Sequence, residues 1–242
     1  MRINVVIQAR TGSTRLPGKV LEDLGGHPVL EWVVRAAQAA TQIDTVIVAT
    51  STLAGDDVVA DLADSLGVPV VRGSENDVLS RYVAALDAYP ADAIVRLTAD
   101  CPLLDPSLID AVAGVWAAAP THDYVSTLVV RCLPRGLDVE LVTARALRVV
   151  DRIAVGHDRV HVTSLLYAGP TAYRLLGVCV TPFANDLRVT LDTQEDLDLL
   201  RALVAELPDA PPAWSDVVAV LRARPDLVAI NSGVAQKPLE AG

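Results

Sequence analysis

Cysteine is scarce in this chain of 242 residues, which contains only Cys101, Cys132 and Cys179. Their odd number and wide spacing give neither a disulfide framework nor a cysteine-based metal site. We therefore expect three small, buried, unreactive side chains.

Long hydrophobic runs are also missing, although hydrophobic residues make up 52% of the chain. No apolar run reaches the roughly 18 residues that a membrane-spanning helix requires. The opening residues MRINVVIQAR are too short an apolar stretch for a signal peptide. These absences predict a cytoplasmic chain with no membrane partner.

Positive charge is scarce, since 20 Lys and Arg face 30 Asp and Glu, for a net charge of -10. This balance excludes a general basic surface for nucleic acid. A net-acidic protein that binds a polyanion must concentrate its positive charge locally. The first twenty residues do so, because they contain Arg2, Arg10, Arg15 and Lys19 and no acidic residue.

The first half of the chain alternates two hydrophobic periodicities. Short β-branched runs predict strands at 3–7, 45–49, 68–71 and 93–97, and helical patterns fall at 28–40, 56–66, 77–89 and 106–118. Buried strands that alternate with helices are typical of βαβ units and of a parallel sheet covered on both faces. The sequence therefore predicts an α/β fold with three αβα layers, Rossmann-like, around a mostly parallel central sheet.

The pattern changes after Pro120 and becomes richer in predicted strands. These strands fall at 124–130, 137–142, 173–180 and 187–191, with helices at 143–153, from about Asp158, and after Thr193 as N-cap, with Asp196 in the first turn. We predict one domain over 1–230 with a small β-rich insert at about 121–182. Residues 231–242 are predicted to be a flexible C-terminal tail.

A basic turn, residues 8–19, follows the first predicted strand with the sequence QARTGSTRLPGK. Ligands of an open parallel sheet bind beyond the carboxyl ends of its strands. The small residues let backbone N–H groups approach an anion, and Arg10, Arg15 and Lys19 add three cations. The turn therefore predicts a phosphate site. It has neither the Walker spacing nor the GxGxxG fingerprint, so a nicotinamide enzyme is disfavoured.

Two acidic residues end predicted strands, Asp100 after 93–97 and Asp192 after 187–191. Mg²⁺ prefers one or two carboxylates together with phosphate oxygens and water. Either aspartate could instead cap the helix that follows it, and both interpretations stay open at this point. Asp105 has the clearer capping pattern, since it precedes Pro106 at the first helical position.

Three stretches, RTGSTRLPGKVL, LTADCPLLDP and LRVTLDTQEDL, resemble the cytidylyltransferase family that makes CMP-activated sugar acids. That family includes the CMP-Kdo and acylneuraminate (CMP-sialic acid) synthetases. The segments at 72–79 and 134–140 are similar to its spore-coat polysaccharide SpsF branch. The resemblance spans about 3–203 and implies a nucleotide-diphospho-sugar transferase fold.

The resemblance also implies an activity: transfer of CMP from CTP to an acceptor such as a sugar acid, with Mg²⁺ as cofactor and pyrophosphate released. A homodimer built from the insert is expected as well. The implied roles are Arg10, Arg15 and Lys19 as catalytic cations; Ala9, Gly12, Ser13, Arg72, Ser74, Asp77 and Thr98 at the nucleotide; Asp138, Glu140 and His161 at the acceptor; and Asp100 and Asp192 at the metal. His161 could equally be an ordinary helix histidine.

Two other classes of protein fit parts of this pattern. A GT-A-like nucleotide-sugar glycosyltransferase could share the sheet and a strand-end metal acid. It would not need the basic turn, and it would release a nucleoside diphosphate. A non-catalytic nucleotide-binding homologue would release nothing, and a screen for pyrophosphate release separates all three.

Overall fold

A computed structural model describes residues 1–169 and 172–235. Nine strands and ten α-helices lie within these ranges. The strands are β1 Ile3–Gln8, β2 Asp23–Leu24, β3 His27–Pro28, β4 Thr45–Ser51, β5 Val70–Gly73, β6 Ala93–Thr98, β7 Tyr124–Ser126, β8 Glu140–Thr143 and β9 Leu175–Gly177. The helices are α1 Val29–Ala39, α2 Asp57–Ser65, α3 Val78–Ala88, α4 Pro106–Ala118, α5 Ala144–Ile153, α6 His157–His161, α7 Ser164–Ala168, α8 Gln194–Val204, α9 Trp214–Ala223 and α10 Pro225–Ile230.

The main sheet has seven strands in the order β5-β4-β1-β6-β8-β7-β9. β5, β4, β1 and β6 are mutually parallel, whereas β8 runs antiparallel to both β6 and β7. The chain moves outward from β1 to β5 and then returns to the other side of β1 as β6. The strand order therefore reverses between β1 and β6, which is where open α/β sheets bind ligands.

Alternate residues of β1 explain the three layers. Val5 and Ile7 face one hydrophobic cluster, which includes side chains of α1, α4 and α8, whereas Val6 faces a second cluster with α3 and α5. All three side chains are fully buried. A strand that is apolar on both faces needs a helical layer on each side, and the predicted α/β fold is confirmed.

Capping side chains fix where the helices that flank the site begin. Asp77 accepts a hydrogen bond from Ser80 N at the start of α3, and Asp105 accepts one from Ser107 N at the start of α4. Thr193 and Asp196 form a reciprocal capping box at the start of α8. The capping roles predicted for Asp105 and Thr193 are confirmed.

The predicted strand at 187–191 is wrong. This segment makes a single isolated bridge, between Arg135 and Arg188, and further along Leu191 N donates to Asp100 O at 2.8 Å. Its neighbours are two separate loops, so no continuous ladder can form.

The strands of the insert are shorter than predicted for a local reason. Ser126 Oγ accepts from Leu128 N at 2.9 Å, and Thr127 Oγ1 accepts from Val139 N at 3.0 Å. Two backbone N–H groups, those of Leu128 and Val139, therefore donate to side chains and not to the backbone carbonyls that would extend β7 and its neighbour. The described part of the insert combines three short strands with the helices α5, α6 and α7, and the strands make up its smaller share.

Burial differs from expectation at one cysteine, since Cys101 and Cys132 are buried but Cys179 is exposed.

At the predicted tail, Asn231 is buried and its Nδ2 donates to Asp196 Oδ1 at 2.8 Å. The rest of that prediction, from residue 236 onward, lies outside the described residues, as do positions 170–171 of the insert. Across the described ranges, no helix combines the length and apolar character needed to cross a bilayer.

Candidate active site

A cavity of about 530 Å³ lies at the carboxyl ends of β1 and β6, where the strand order reverses. The basic turn forms one wall, the loops after β6 and before α8 form the floor, and the insert forms the opposite wall. The predicted residues that line it are Ala9, Arg10, Gly12, Ser13, Arg15, Lys19, Thr98, Asp100, Asp138, Glu140, His161 and Asp192. Residues that are far apart in the chain therefore share one cavity.

Asp56 fixes the basic turn through hydrogen bonds to Thr11, a role that the sequence alone did not indicate. Both the backbone N and the Oγ1 of Thr11 donate to Asp56 Oδ1 at 2.7 Å. Burial raises the pKa of Asp56, but hydrogen bonds from Ser51 and Thr11 outweigh burial and lower it below its usual value. Within the turn, Ser13 N and Gly18 N both donate to Thr11 O. These contacts give the turn a fixed shape before any ligand binds.

Lys19 lies at the centre of the site and contacts both strand-end aspartates. Its Nζ donates to Asp100 Oδ2 and Asp192 Oδ1, each at 2.8 Å, and to Leu191 O at 2.5 Å. Burial lowers the pKa of Lys19, but the two carboxylates outweigh burial and raise it above its ordinary value. The two aspartates that the sequence places 92 positions apart therefore meet at one ammonium group.

Asp192 contacts two further cations through its second oxygen. Arg15 reaches Oδ2 at 2.9 Å, and Arg188 reaches it at 2.8 Å. Burial raises the pKa of this carboxyl, but the three surrounding cations outweigh burial and lower the pKa of Asp192 to about 2. Asp192 is therefore a carboxylate over the whole physiological pH range.

The donor set around Lys19 matches the preference of a hard divalent cation. Two carboxylates and one carbonyl surround a single compact charge, and all the contacting atoms are oxygens. Among the described residues, no group of three or more His, Cys, Asp or Glu side chains could hold a metal unaided. The remaining ligands would have to come from phosphate oxygens and water, as is usual for Mg²⁺.

The three predicted acceptor residues line the cavity but differ in their environments. Asp138 pairs with Arg131 at 2.8 Å, and burial raises the pKa of Asp138 despite that guanidinium. Glu140 is only 3% exposed, and both of its oxygens accept hydrogen bonds. His161 ends the short helix α6. Asp138 and His161 face the cavity, whereas Glu140 belongs to the internal hydrogen-bond network beneath it.

Three of the residues predicted at the nucleotide do not line the cavity. The Arg72 guanidinium donates to the carbonyls of Ser51 and Leu53 and pairs with Asp57 at 2.7 Å. Asp77 caps α3 and pairs with Arg159 at 2.7 Å, while Ser74 Oγ accepts from Asp77 N. In this conformation Arg72, Ser74 and Asp77 organise the loop before α3. Their role at the nucleotide stays a prediction.

Several cavity residues received no individual role from the sequence: Gln8, Arg81, Arg96, Arg131, Arg135 and Tyr167. A usable signal existed for Arg96, because an arginine inside an apolar strand needs an acidic partner, and Glu140 lies directly opposite it on β8. Burial lowers the pKa of Arg96, but Glu140 outweighs burial and raises it. The pairing depends on sheet register, which one sequence does not reveal.

Residues 4–213 match the family described as cytidylyltransferase. The chain belongs to the cytidylyltransferase family. The resemblance inferred from the basic turn and the two strand-end acids is therefore confirmed.

Individual relatives of this cytidylyltransferase agree with that assignment. The spore coat polysaccharide biosynthesis protein SpsF of Bacillus subtilis is 35% identical over 231 residues, covering 91% of this chain and 94% of SpsF. A 3-deoxy-manno-octulosonate cytidylyltransferase of Acidobacterium capsulatum is 34% identical over 147 residues, covering 60% of this chain and 56% of that enzyme. The solved structure of a cytidylyltransferase from Leptospira borgpetersenii is 28% identical, with a TM-score of 0.91 over 98% of this chain and 100% of that one.

Proposed function

We propose that this cytidylyltransferase uses Mg²⁺ to transfer CMP from CTP to a sugar acid, with release of pyrophosphate. The observation that carries the proposal is the meeting of the basic turn, Asp100 and Asp192 at one cation position. A transferase that breaks the bond between the α- and β-phosphates needs a cation at that position, because negative charge builds up on the leaving pyrophosphate.

The proposed positions follow from the walls of the cavity. The triphosphate would lie along the basic turn, which lines the cavity with Arg10, Gly12, Ser13 and Arg15. Arg10 is 39% exposed and only loosely paired with Glu75, at 3.9 Å, so its guanidinium can bind a phosphate at little cost. Asp100 and Asp192 would hold Mg²⁺, which neutralises phosphate charge when it is bound. Positioning and charge compensation would supply most of the rate.

A sugar acid is proposed as the acceptor because the opposite wall offers cations for its carboxylate. Arg131 and Arg135 both line the insert side of the cavity. Burial and the nearby Arg131 lower the pKa of Arg135, and no described carboxylate lies within ion-pair distance of it. Two relatives, a spore coat polysaccharide biosynthesis protein and a 3-deoxy-manno-octulosonate cytidylyltransferase, support the same class of acceptor.

The test is a pyrophosphate-release screen with each of the four common nucleoside triphosphates and a panel of sugar acids that includes 3-deoxy-manno-octulosonate. We expect release that requires CTP, a divalent metal and one of the acids. Release of a nucleoside diphosphate from a nucleotide sugar would instead identify a glycosyltransferase. No turnover with any pair, together with measurable CTP binding, would identify a non-catalytic homologue.

We also propose a homodimer formed through the insert. Val129 and Val130 of the insert, and Phe183 directly after it, are 38%, 50% and 59% exposed. Exposed apolar side chains that form a patch mark protein interaction sites. Light scattering at micromolar concentration tests this, and a monomer would contradict it. The cytoplasmic location stays a prediction.

A further inference from the structure

The ammonium of Lys19 has used all of its hydrogen-bonding capacity. A lysine ammonium has three N–H donors, and Lys19 Nζ has three acceptors: Asp100 Oδ2, Asp192 Oδ1 and Leu191 O. The side chain is only 11% exposed. No donor is therefore left for a phosphate while Lys19 keeps this position.

The same contacts also occupy the candidate metal site. Each aspartate gives one oxygen to Lys19, and the second oxygen of Asp192 binds Arg15 and Arg188. A divalent cation between the two carboxylates would have to take the place of the ammonium. Two roles are predicted for this region: metal binding by the two aspartates and phosphate binding by Lys19. Each requires the Lys19 ammonium to move away from Asp100 and Asp192.

The presence of a lysine at position 19, where an arginine would be expected from the composition of this chain, supports such a movement. Eighteen of the twenty basic residues are arginines, and the only lysines are Lys19 and Lys237, the latter outside the described residues. A lysine ammonium is a compact charge on a flexible four-carbon stem, whereas an arginine presents a planar fork. Lys19 is therefore the described side chain that can both imitate a metal ion and move away from its position.

We propose that Lys19 and the divalent metal occupy the Asp100–Asp192 pair in turn, so that the metal enters together with the triphosphate. This inference rests on the proposed function. A metal that enters alone must displace an ammonium into a cavity that Arg10 and Arg15 already line. A metal that enters with the triphosphate brings negative charge, and the phosphates give the displaced ammonium new acceptors. Metal binding and nucleotide binding are thereby coupled through one side chain.

The first test compares Mn²⁺ binding, without nucleotide, to the wild-type protein and to the Lys19→Met variant by calorimetry. We expect at least tenfold tighter binding to the variant, or about 1.4 kcal/mol, because no ammonium competes for the carboxylates. The matched control is Arg10→Met, which removes a cation of the same cavity that touches neither aspartate. It should change Mn²⁺ affinity by less than about threefold, since exposed charges are strongly screened. Equal or weaker binding to Lys19→Met than to wild type would overturn the proposal.

A second measurement does not depend on the folding of a variant. Wild-type protein labelled with ¹⁵N-lysine gives two side-chain ammonium signals, since the chain has two lysines. We expect Mg²⁺ alone to leave the Lys19 signal in place, and Mg²⁺ with a non-hydrolysable CTP analogue to shift it. A full shift with Mg²⁺ alone, or none with the complex, would show that the exchange does not occur. Because neither test measures turnover, absence of pyrophosphate release would count against the proposed function and leave this result intact.

Discussion

Gly136 is the glycine that the structure least allows to change, and Gly136→Ala is our most detailed prediction. An added Cβ would lie 2.5 Å from Thr190 N and 2.6 Å from Val189 C, against backbone that cannot rotate away. Gly136 also has a φ of 106°, which L side chains rarely adopt. Backbone strain of about 1–3 kcal/mol and overpacking of about 1–3 kcal/mol add to a loss of roughly 4 kcal/mol in unfolding free energy.

The assay is urea unfolding followed by circular dichroism, with thermal melting as a second readout. For a chain of this size, such a loss corresponds to a drop of roughly 8–16 °C in melting temperature. The matched control is Gly114→Ala in helix α4, where an added Cβ meets nothing within 4 Å. It should stabilise the fold by about 0.5–1 kcal/mol. An unfolding free energy of Gly136→Ala within about 1 kcal/mol of the wild-type value would refute this reasoning. The packing of Gly136 against residues 189–190 would then not fix the segment that leads to Asp192.

Three further predictions concern the charged groups of the site. Asp100→Asn should abolish metal-dependent pyrophosphate release while the fold survives; calorimetry that finds unchanged Mg²⁺–CTP binding would contradict the assigned role. Glu140→Gln should lower the unfolding free energy by about 3–5 kcal/mol, because Arg96 keeps a buried charge without its carboxylate, and urea unfolding measures this. The pKa of Asp192 in the folded protein is about 2, below the 3.8 of an unperturbed aspartate. Its ionisation therefore stabilises the fold by about 2 kcal/mol above pH 4, and this stabilisation is lost as the pH falls toward 2. Urea unfolding at a series of pH values should therefore show a weaker acid dependence in Asp192→Asn, and an identical dependence would refute the assignment.

The first half of the fold follows closely from local sequence. β1, β4 and β6 are predominantly apolar and rich in β-branched residues, and such runs are typical of a buried parallel strand. Capping residues such as Asp105 and Thr193 act within three positions along the chain, so their pattern is readable without knowledge of the fold. The convergence of the basic turn and Asp100 could also be predicted, because parallel strands end at one edge of the sheet.

The remaining features depend on contacts between distant segments. The stretch at 187–191 has the composition of a strand, but its neighbours are loops, so composition alone predicted it wrongly. The phosphate role predicted for Lys19 gave no indication of its contact with both aspartates. Arg131 and Arg135 reach the cavity only because the insert folds back over it. Such proximities arise from tertiary packing, which periodicity does not encode.

The buried Arg96–Glu140 pair joins the two functional halves of the molecule. Arg96 belongs to β6, which ends just before Asp100, and Glu140 begins β8, the strand through which the insert joins the sheet. Tyr124 and Thr163 donate to the same carboxylate from two other parts of the insert. The insert is thus anchored at its root, while the loop with Arg131 and Arg135 extends beyond that anchor. Under the proposed function, we therefore expect that exchanging that loop would change the acceptor preference without altering the edge of the sheet that carries Asp100.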